Sequence, residues 1–203
     1  MPIMKEFCIY HSINLIKRYN PNYSKNKIAE IKYGLEGIYI LITKTIVIFA
    51  IAYFLNLLKE LIVFVLLYNL IRMPSFGLHA NKSYQCLISS IIIFIALPYL
   101  CMSIELPLLL KWGIGTICVI FIFKNSPADT QKKPIINRKR RKVYKYISTI
   151  IATTFTIFSL ISANSYIANS LIVVLVLQCF MISPLVYKFF NLPYNNYLRY
   201  KSS

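Results

Sequence analysis

The chain has 203 residues, 58% of them hydrophobic, with 23 Lys and Arg against six acids and a formal net charge of +17. Soluble domains carry only about 45–50% apolar residues, so this composition excludes an ordinary soluble fold and favours one membrane-embedded bundle. The basic residues flank apolar runs, as the positive-inside rule requires, so no nucleic-acid partner is expected; the lipid bilayer is. Such charge would also attract anionic lipid, or an acidic peptide segment, at the inner leaflet.

Residues 1–19 place Ile3, Phe7, Tyr10, Ile13 and Ile16 at helical spacing, with Lys5, Glu6, Asn14, Lys17 and Arg18 largely elsewhere. This suggests an amphipathic helix, either lying in the interface or packed on the bundle. Lys5, Glu6 and the lack of a small-residue cleavage site argue against a secretory signal. Asn20-Pro21-Asn22 reads as a turn, and Ser24 or Asn26 as the cap of the next helix. The run 38–58 is apolar except for Thr43, Lys44, Thr45 and Asn56, long enough to span at about 20 residues. Lys59-Glu60 reads as an external turn. The following run, 61–71, is short for a span, so its helix either starts before Lys59, tilts, or stops within the membrane.

Residues 72–86, RMPSFGLHANKSYQC, form a polar, turn-prone island. Apolar runs follow at 87–102 and 106–123, separated by Ser103-Ile104-Glu105. The basic segment 124–145 holds nine Lys or Arg and one acid, Asp129. Two more runs, 146–163 and 167–187, are joined at Asn164-Ser165, and Pro184 ends or kinks the last. The expected architecture is therefore an all-α polytopic membrane bundle of about six transmembrane spans with an amphipathic N-terminal helix. It forms one integral membrane domain over 1–203: an amphipathic interfacial region 1–36, a transmembrane bundle 37–187 and a cytosolic tail 188–203. The three expected external turns hold only Lys59, Glu60 and Glu105. Both termini, the segment 72–86 and the loop 124–145 then face the cytosol.

The five cysteines, Cys8, Cys86, Cys101, Cys118 and Cys179, show no paired spacing, so neither a disulfide framework nor a metal site is indicated, and no cofactor is expected. Four are expected to act as small buried hydrophobes. Cys86 differs because its neighbours are polar and His79, one of two histidines, lies seven residues before it. A cysteine attacks as thiolate and needs a base, a cation or a helix N-terminus to form one. On a continuous helix seven residues advance about 10.5 Å, too far for thiol–imidazole contact. The segment should therefore break, with His79 near the end of one element and Cys86 in the first turn of the next, capped by Ser83. There the helix dipole favours thiolate. By itself the pair is a weak signal: a His and a Cys this close often have no chemistry. Arg72 reads most simply as a membrane-end anchor and Gly77 as a turn residue.

Arg72, Gly77, His79-Ala80 and Cys86 match the pattern R-x4-G-x-H-A-x5-C, which resembles the accessory gene regulator B (AgrB) family of membrane cysteine peptidases. Residues 125–134, NSPADTQKKP, resemble that family's (N/Y)-x-P-A-D-(T/S)-x-x-(K/R)-P signature, and the Tyr19-Asn20-Pro21 turn after an amphipathic start is similar too. At Ser75-Phe76-Gly77 a second small residue or glycine is expected beside Gly77 and is missing. The resemblance implies a cysteine endopeptidase of the bacterial inner membrane, working as a homodimer. It would cleave a quorum-sensing propeptide with an amphipathic leader and an acidic tail, through a thioester on Cys86 with His79 as base. The peptide would then close to a thiolactone or lactone. Arg72, Gly77, Asp129, Lys132 and Lys133 are the substrate-binding candidates in that scheme; Asp129 could instead orient His79 or pair with Lys132 or Lys133. The alternative is a non-enzymatic peptide exporter or membrane scaffold, motivated by Lys44, Lys111 and Gln178 within apolar runs.

Overall fold

The computed structural model describes residues 2–78, 83–130 and 134–200, with side chains at 4–78, 87–130 and 134–198. The protein is an all-α membrane bundle, with no strand among the described residues. Among the described residues, four helices are long and apolar enough to cross a bilayer: α2 (Lys25–Phe54), α6 (Leu108–Asn125), α7 (Arg138–Ile161) and α8 (Ser165–Ile182). Two further apolar stretches are helical: α3 (Leu58–Ser75) and the run formed by α4 (Ser83–Ile91), a π turn (Ile92–Ala96) and α5 (Leu97–Ser103). Pro98 cannot donate to the carbonyl four residues back, and the widened turn lies just before it.

The chain divides into two compact units, Met1–Ile51 and Ala52–Ser203. In the first, α1 (Pro2–Tyr19) ends before the Asn20–Pro21 turn, and Ser24 Oγ caps α2 by accepting from the Lys27 amide at 3.2 Å. Lys5 Nζ lies 3.1 Å from Glu36 Oε2, tying α1 to α2.

In the second unit α8 is the central helix. It packs against α3, α5, α6 and α7, and Ala168, Leu171, Ile172, Val174, Leu175 and Ile182 are all buried. In lipid the hydrophobic effect does not press helices together, so close packing through small residues does. At Gly115 of α6 a Cβ would strike the Thr156 side chain of α7, with Oγ1 at 2.9 Å. Ser148, Ala152, Thr156 and Ser159 form the buried stripe of α7. Outward-facing apolar residues such as Trp112, Ile117, Ile120 and Ile150 are more than half exposed, a surface that suits lipid and not water.

Two boundaries differ from expectation, the turn at Lys59-Glu60 and the basic loop 124–145, and two open readings are resolved. The turn after α2 falls at Asn56, whose φ of 54° an asparagine tolerates. Lys59 and Glu60 therefore sit in the first turn of α3 and not in an external turn; of the alternatives for the short run 61–71, the helix starts before Lys59 and reaches 18 residues. Asn137 caps α7 through Oδ1, accepting from Lys139 and Arg140 amides at 2.9 and 3.2 Å; so seven of the segment's nine basic residues, Lys124, Arg138 to Lys142 and Lys145, lie on helix and not in a loop. As expected, the last span ends at Pro184: α8 stops at Ile182, and Pro184 starts a separate helix, α9 (Pro184–Phe189), after an extended Ser183. Finally, Cys8 is exposed on α1 and Cys179 is half-buried, so only Cys101 and Cys118 are the buried hydrophobes expected.

Candidate functional site

The chain between Arg72 and Cys86 is not one helix: α3 ends at Ser75 and α4 begins at Ser83. Pro74 sits in the last turn, and the two residues after the helix have positive φ, 58° at Phe76 and 122° at Gly77. Phe76, at ψ −141°, lies near a region almost reserved for glycine. The residue expected to be small is thus a phenylalanine forced into a glycine-like conformation.

The surroundings hold it there. Arg72 Nη1 donates to the Phe76 carbonyl at 2.7 Å, and Nη2 to the Leu78 carbonyl at 2.6 Å. Gln178 Nε2 of α8 also donates to the Phe76 carbonyl, at 2.9 Å. The Gly77 amide donates to the Ala128 carbonyl at 2.9 Å, the Ala128 amide to the Ser75 carbonyl at 3.0 Å, and the Leu78 amide to the Met181 carbonyl at 3.0 Å. Phe76 stacks edge-on against Tyr144, centroids 5.3 Å apart. Strained backbone persists only where its environment over-determines it, and six hydrogen bonds from three elements do so here. Gly77 has no room for a side chain: a Cβ would meet the Arg72 guanidinium and lie 2.7 Å from the Met181 carbonyl oxygen.

The second anchor is Asp129, in the loop between α6 and α7. Its carboxylate is buried and accepts from the amides of Asn196 at 3.0 Å, Tyr197 at 2.9 Å and Ile135 at 3.3 Å. Two of these donors belong to the C-terminal 3-10 turn, Asn196–Tyr200. Asn196 Nδ2 donates to the Asp129 carbonyl at 3.3 Å. Tyr187 Oη reaches the Ala128 and Asp129 carbonyls at 3.4 Å each; burial holds its phenol well above its ordinary pKa, so the hydroxyl keeps its proton and remains a donor. Arg141 lies 3.0 Å above the Tyr197 ring. The tail is therefore docked beside the loop.

Of the residues singled out from sequence, the fold brings Arg72, Gly77 and the Asp129 loop together through Ala128. Arg72 and Asp129 spend their described hydrogen bonds on backbone groups. His79, Lys132 and Lys133 lie outside the described residues. The backbone at Cys86 is the fourth residue of α4, so Ser83 begins that helix instead of preceding it; the Cys86 side chain is also outside the described set. Sequence reasoning missed Gln178 as a loop anchor, and missed Tyr187 and Asn196 altogether. The first carried a signal, an amide in an apolar helix; the others lie 58 and 67 residues from Asp129 with no local cue.

A buried, strained and glycine-dependent loop at one end of an apolar helical bundle is the candidate site of an integral membrane protein. The model of the Accessory gene regulator B family matches residues 9–182. The chain belongs to that family, which ties it to agr quorum sensing and the processing of its autoinducer. It is 30% identical over 172 residues to a "Putative AgrB-like protein" of Listeria monocytogenes serovar 1/2a, covering 85% of this chain and 84% of the relative. A protein of the same description from Clostridium acetobutylicum is 25% identical over 175 residues, 86% and 84% of the two chains. The "Accessory gene regulator protein B" of Staphylococcus carnosus is 34% identical over 113 residues, 56% of this chain and 59% of the relative. No solved structure matches.

Proposed function

We propose that the protein is a cysteine endopeptidase that cuts the acidic tail from a quorum-sensing propeptide and closes the remainder to a thiolactone or lactone. The observation that carries this reading is the clamp on Phe76, Gly77 and Leu78, which fixes the backbone one residue before His79. Family membership supplies the second support.

The chemistry balances without a cofactor. His79 takes the thiol proton, and the Cys86 thiolate attacks the carbonyl carbon before the acidic tail. Amides in the first turn of α4 are unpaired within the helix and suit the developing oxyanion. The C–N bond breaks, His79 returns the proton to the leaving amine, and an acyl thioester remains on Cys86. An internal thiol or hydroxyl of the peptide then attacks that thioester, its proton passes to His79, and Cys86 leaves as thiolate. Thioester exchange is nearly isoenergetic, so excluding water matters more than driving force. Lys132 and Lys133 are assigned to the acidic tail. Arg72, Gly77 and Asp129 serve by shaping the loops that surround the substrate. The cationic end of the bundle faces the cytosol, with both termini on that side, and the working form is a homodimer.

The test is cleavage of the propeptide by the protein in lipid. Cys86→Ala and Cys86→Ser should abolish it while Cys101→Ala and Cys118→Ala retain it. Full cleavage by Cys86→Ala would end the peptidase reading and leave the exporter or scaffold.

A further inference from the structure

A cavity of about 370 Å³ opens beside the strained loop, between it and the start of α7. Phe76 and Tyr144 form an aromatic side and Pro134, Ile135 and Ile136 an aliphatic one. Arg140 adds a cation to its lining. We propose that this cavity is the subsite for the propeptide's acidic tail, taking an apolar side chain between Phe76, Tyr144 and Ile136 while Arg140 pairs with a neighbouring carboxylate. The proposal rests on the peptidase reading and names the chemistry its substrate must carry beyond the cut.

Three observations converge on this occupant. The first is uncompensated charge. Arg138, Lys139, Arg140, Arg141 and Lys142 crowd the first turns of α7, where the positive end of the helix dipole makes cations unfavourable. No described carboxylate relieves them: the two ion pairs among the described residues are Lys5–Glu36 and Lys27–Glu30, and the nearest acid along the chain, Asp129, is buried and accepts backbone amides. An incoming carboxylate would.

The second is lining. A lipid headgroup needs only surface charge, whereas this cavity pairs one cation with two aromatic rings. Ile136 is 52% exposed despite being aliphatic, as expected of a wall left bare for an apolar partner. Third, the cavity shares Phe76 with the clamp. A peptide seated there runs past the backbone that leads to His79, which a lipid site would not require.

The test measures binding without chemistry, using the full chain carrying Cys86→Ala in phosphatidylcholine nanodiscs. The probes are fluorescent synthetic octapeptides: one of leucine and glutamate, one with glutamine replacing glutamate, one with serine replacing leucine. Fluorescence polarisation should show the leucine–glutamate probe binding best. Arg140→Gln should weaken it roughly threefold to fivefold, the scale of one exposed ion pair, and leave the glutamine probe unchanged. Ile136→Ser should weaken the leucine probes and spare the serine one. Equal binding of all three probes, or indifference to both substitutions, overturns the subsite. So does an Arg140 effect that appears only when phosphatidylglycerol replaces phosphatidylcholine, since the cation would then serve lipid. Probe binding that follows Arg140 and Ile136, in a protein whose Cys86-containing form cleaves nothing, keeps the subsite and rejects the peptidase. Cleavage with a KM insensitive to both substitutions rejects the subsite alone.

Discussion

The two ends of the second unit are built on opposite rules. At the end holding the start of α3 and of α8, charges balance, with Lys59 and Lys111 against Glu60 and Glu105. Neutral hydrogen bonds close it. Asn169 Nδ2 donates to the Cys101 and Ile104 carbonyls at 3.1 and 2.6 Å, and Tyr166 Oη to the Glu60 carbonyl at 2.6 Å. At the other end, cations accumulate on α7, backbone is strained at Phe76, and Arg72 and Asp129 are both spent on backbone. The first end only terminates helices. The second holds irregular chain in a fixed shape beside apolar spans, which membrane proteins tolerate where that chain is buried in protein or lines a cavity. The glycine-like Phe76 at one end, against an αL turn that Asn56 tolerates at the other, is the ground for placing the proposed site at the cationic end.

The largest effect should separate the ends by a single methyl group. Gly77→Ala places a Cβ against the Arg72 guanidinium at a φ of 122°, and should cost about 1–3 kcal/mol of strain and nearly all propeptide cleavage. Gly113→Ala, near the opposite end of α6, meets nothing within 4 Å. By helix propensity it should be neutral or stabilising by up to about 1 kcal/mol, with cleavage intact. Thermal unfolding in detergent and a cleavage assay read both. Equal losses would erase the distinction.

Next in size is Arg72→Lys. An ammonium is a point charge and cannot serve two carbonyls in the fixed fork of a guanidinium. Losing one charge-assisted bond should cost about 1.5–3 kcal/mol and most of kcat. If Arg72 acted only as a membrane-end anchor, lysine would replace it without loss.

Asp129→Asn should be milder. The amide keeps one acceptor oxygen but turns a donor toward backbone amides, so the tail should loosen at a cost of about 1–3 kcal/mol. Hydrogen exchange at the Asn196 and Tyr197 amides should accelerate, while that at Ile167, bonded to Asn164 Oδ1 at 3.0 Å, keeps its parent rate. Unchanged exchange at both would show that the tail is held by other contacts. Smallest of all, Tyr166→Phe removes one hydrogen bond, worth about 1 kcal/mol, and should leave cleavage untouched. A drop in cleavage would mean that the quiet end is coupled to the site.

The same contrast explains what the sequence made legible. Apolar runs and flanking charge report partition into lipid, a property of single segments, so the all-α bundle and most of its helices could be read directly. The break between Arg72 and Cys86 was also legible, because helical rise forbids a seven-residue contact. The early start of α3 was one of the open readings, but the position of the turn was not legible, since it depends on one asparagine, Asn56, at positive φ. Nor was the docked tail: Asp129 stood out as the lone acid of a basic segment, but its partners Asn196 and Tyr197 arrive through tertiary folding alone. Phe76 was noticed as a departure, and only the fold shows that it adopts the conformation a glycine would have taken.

The most direct measurement is the rate of Cys86 alkylation by iodoacetamide against pH, followed at that residue by mass spectrometry, in the parent protein and in His79→Ala. If the clamped loop delivers His79 to the thiol, the parent should react as thiolate well below the free-cysteine pKa of about 8.5. The His79→Ala profile should then move up toward that value. Identical profiles in the two proteins would contradict a His79–Cys86 dyad.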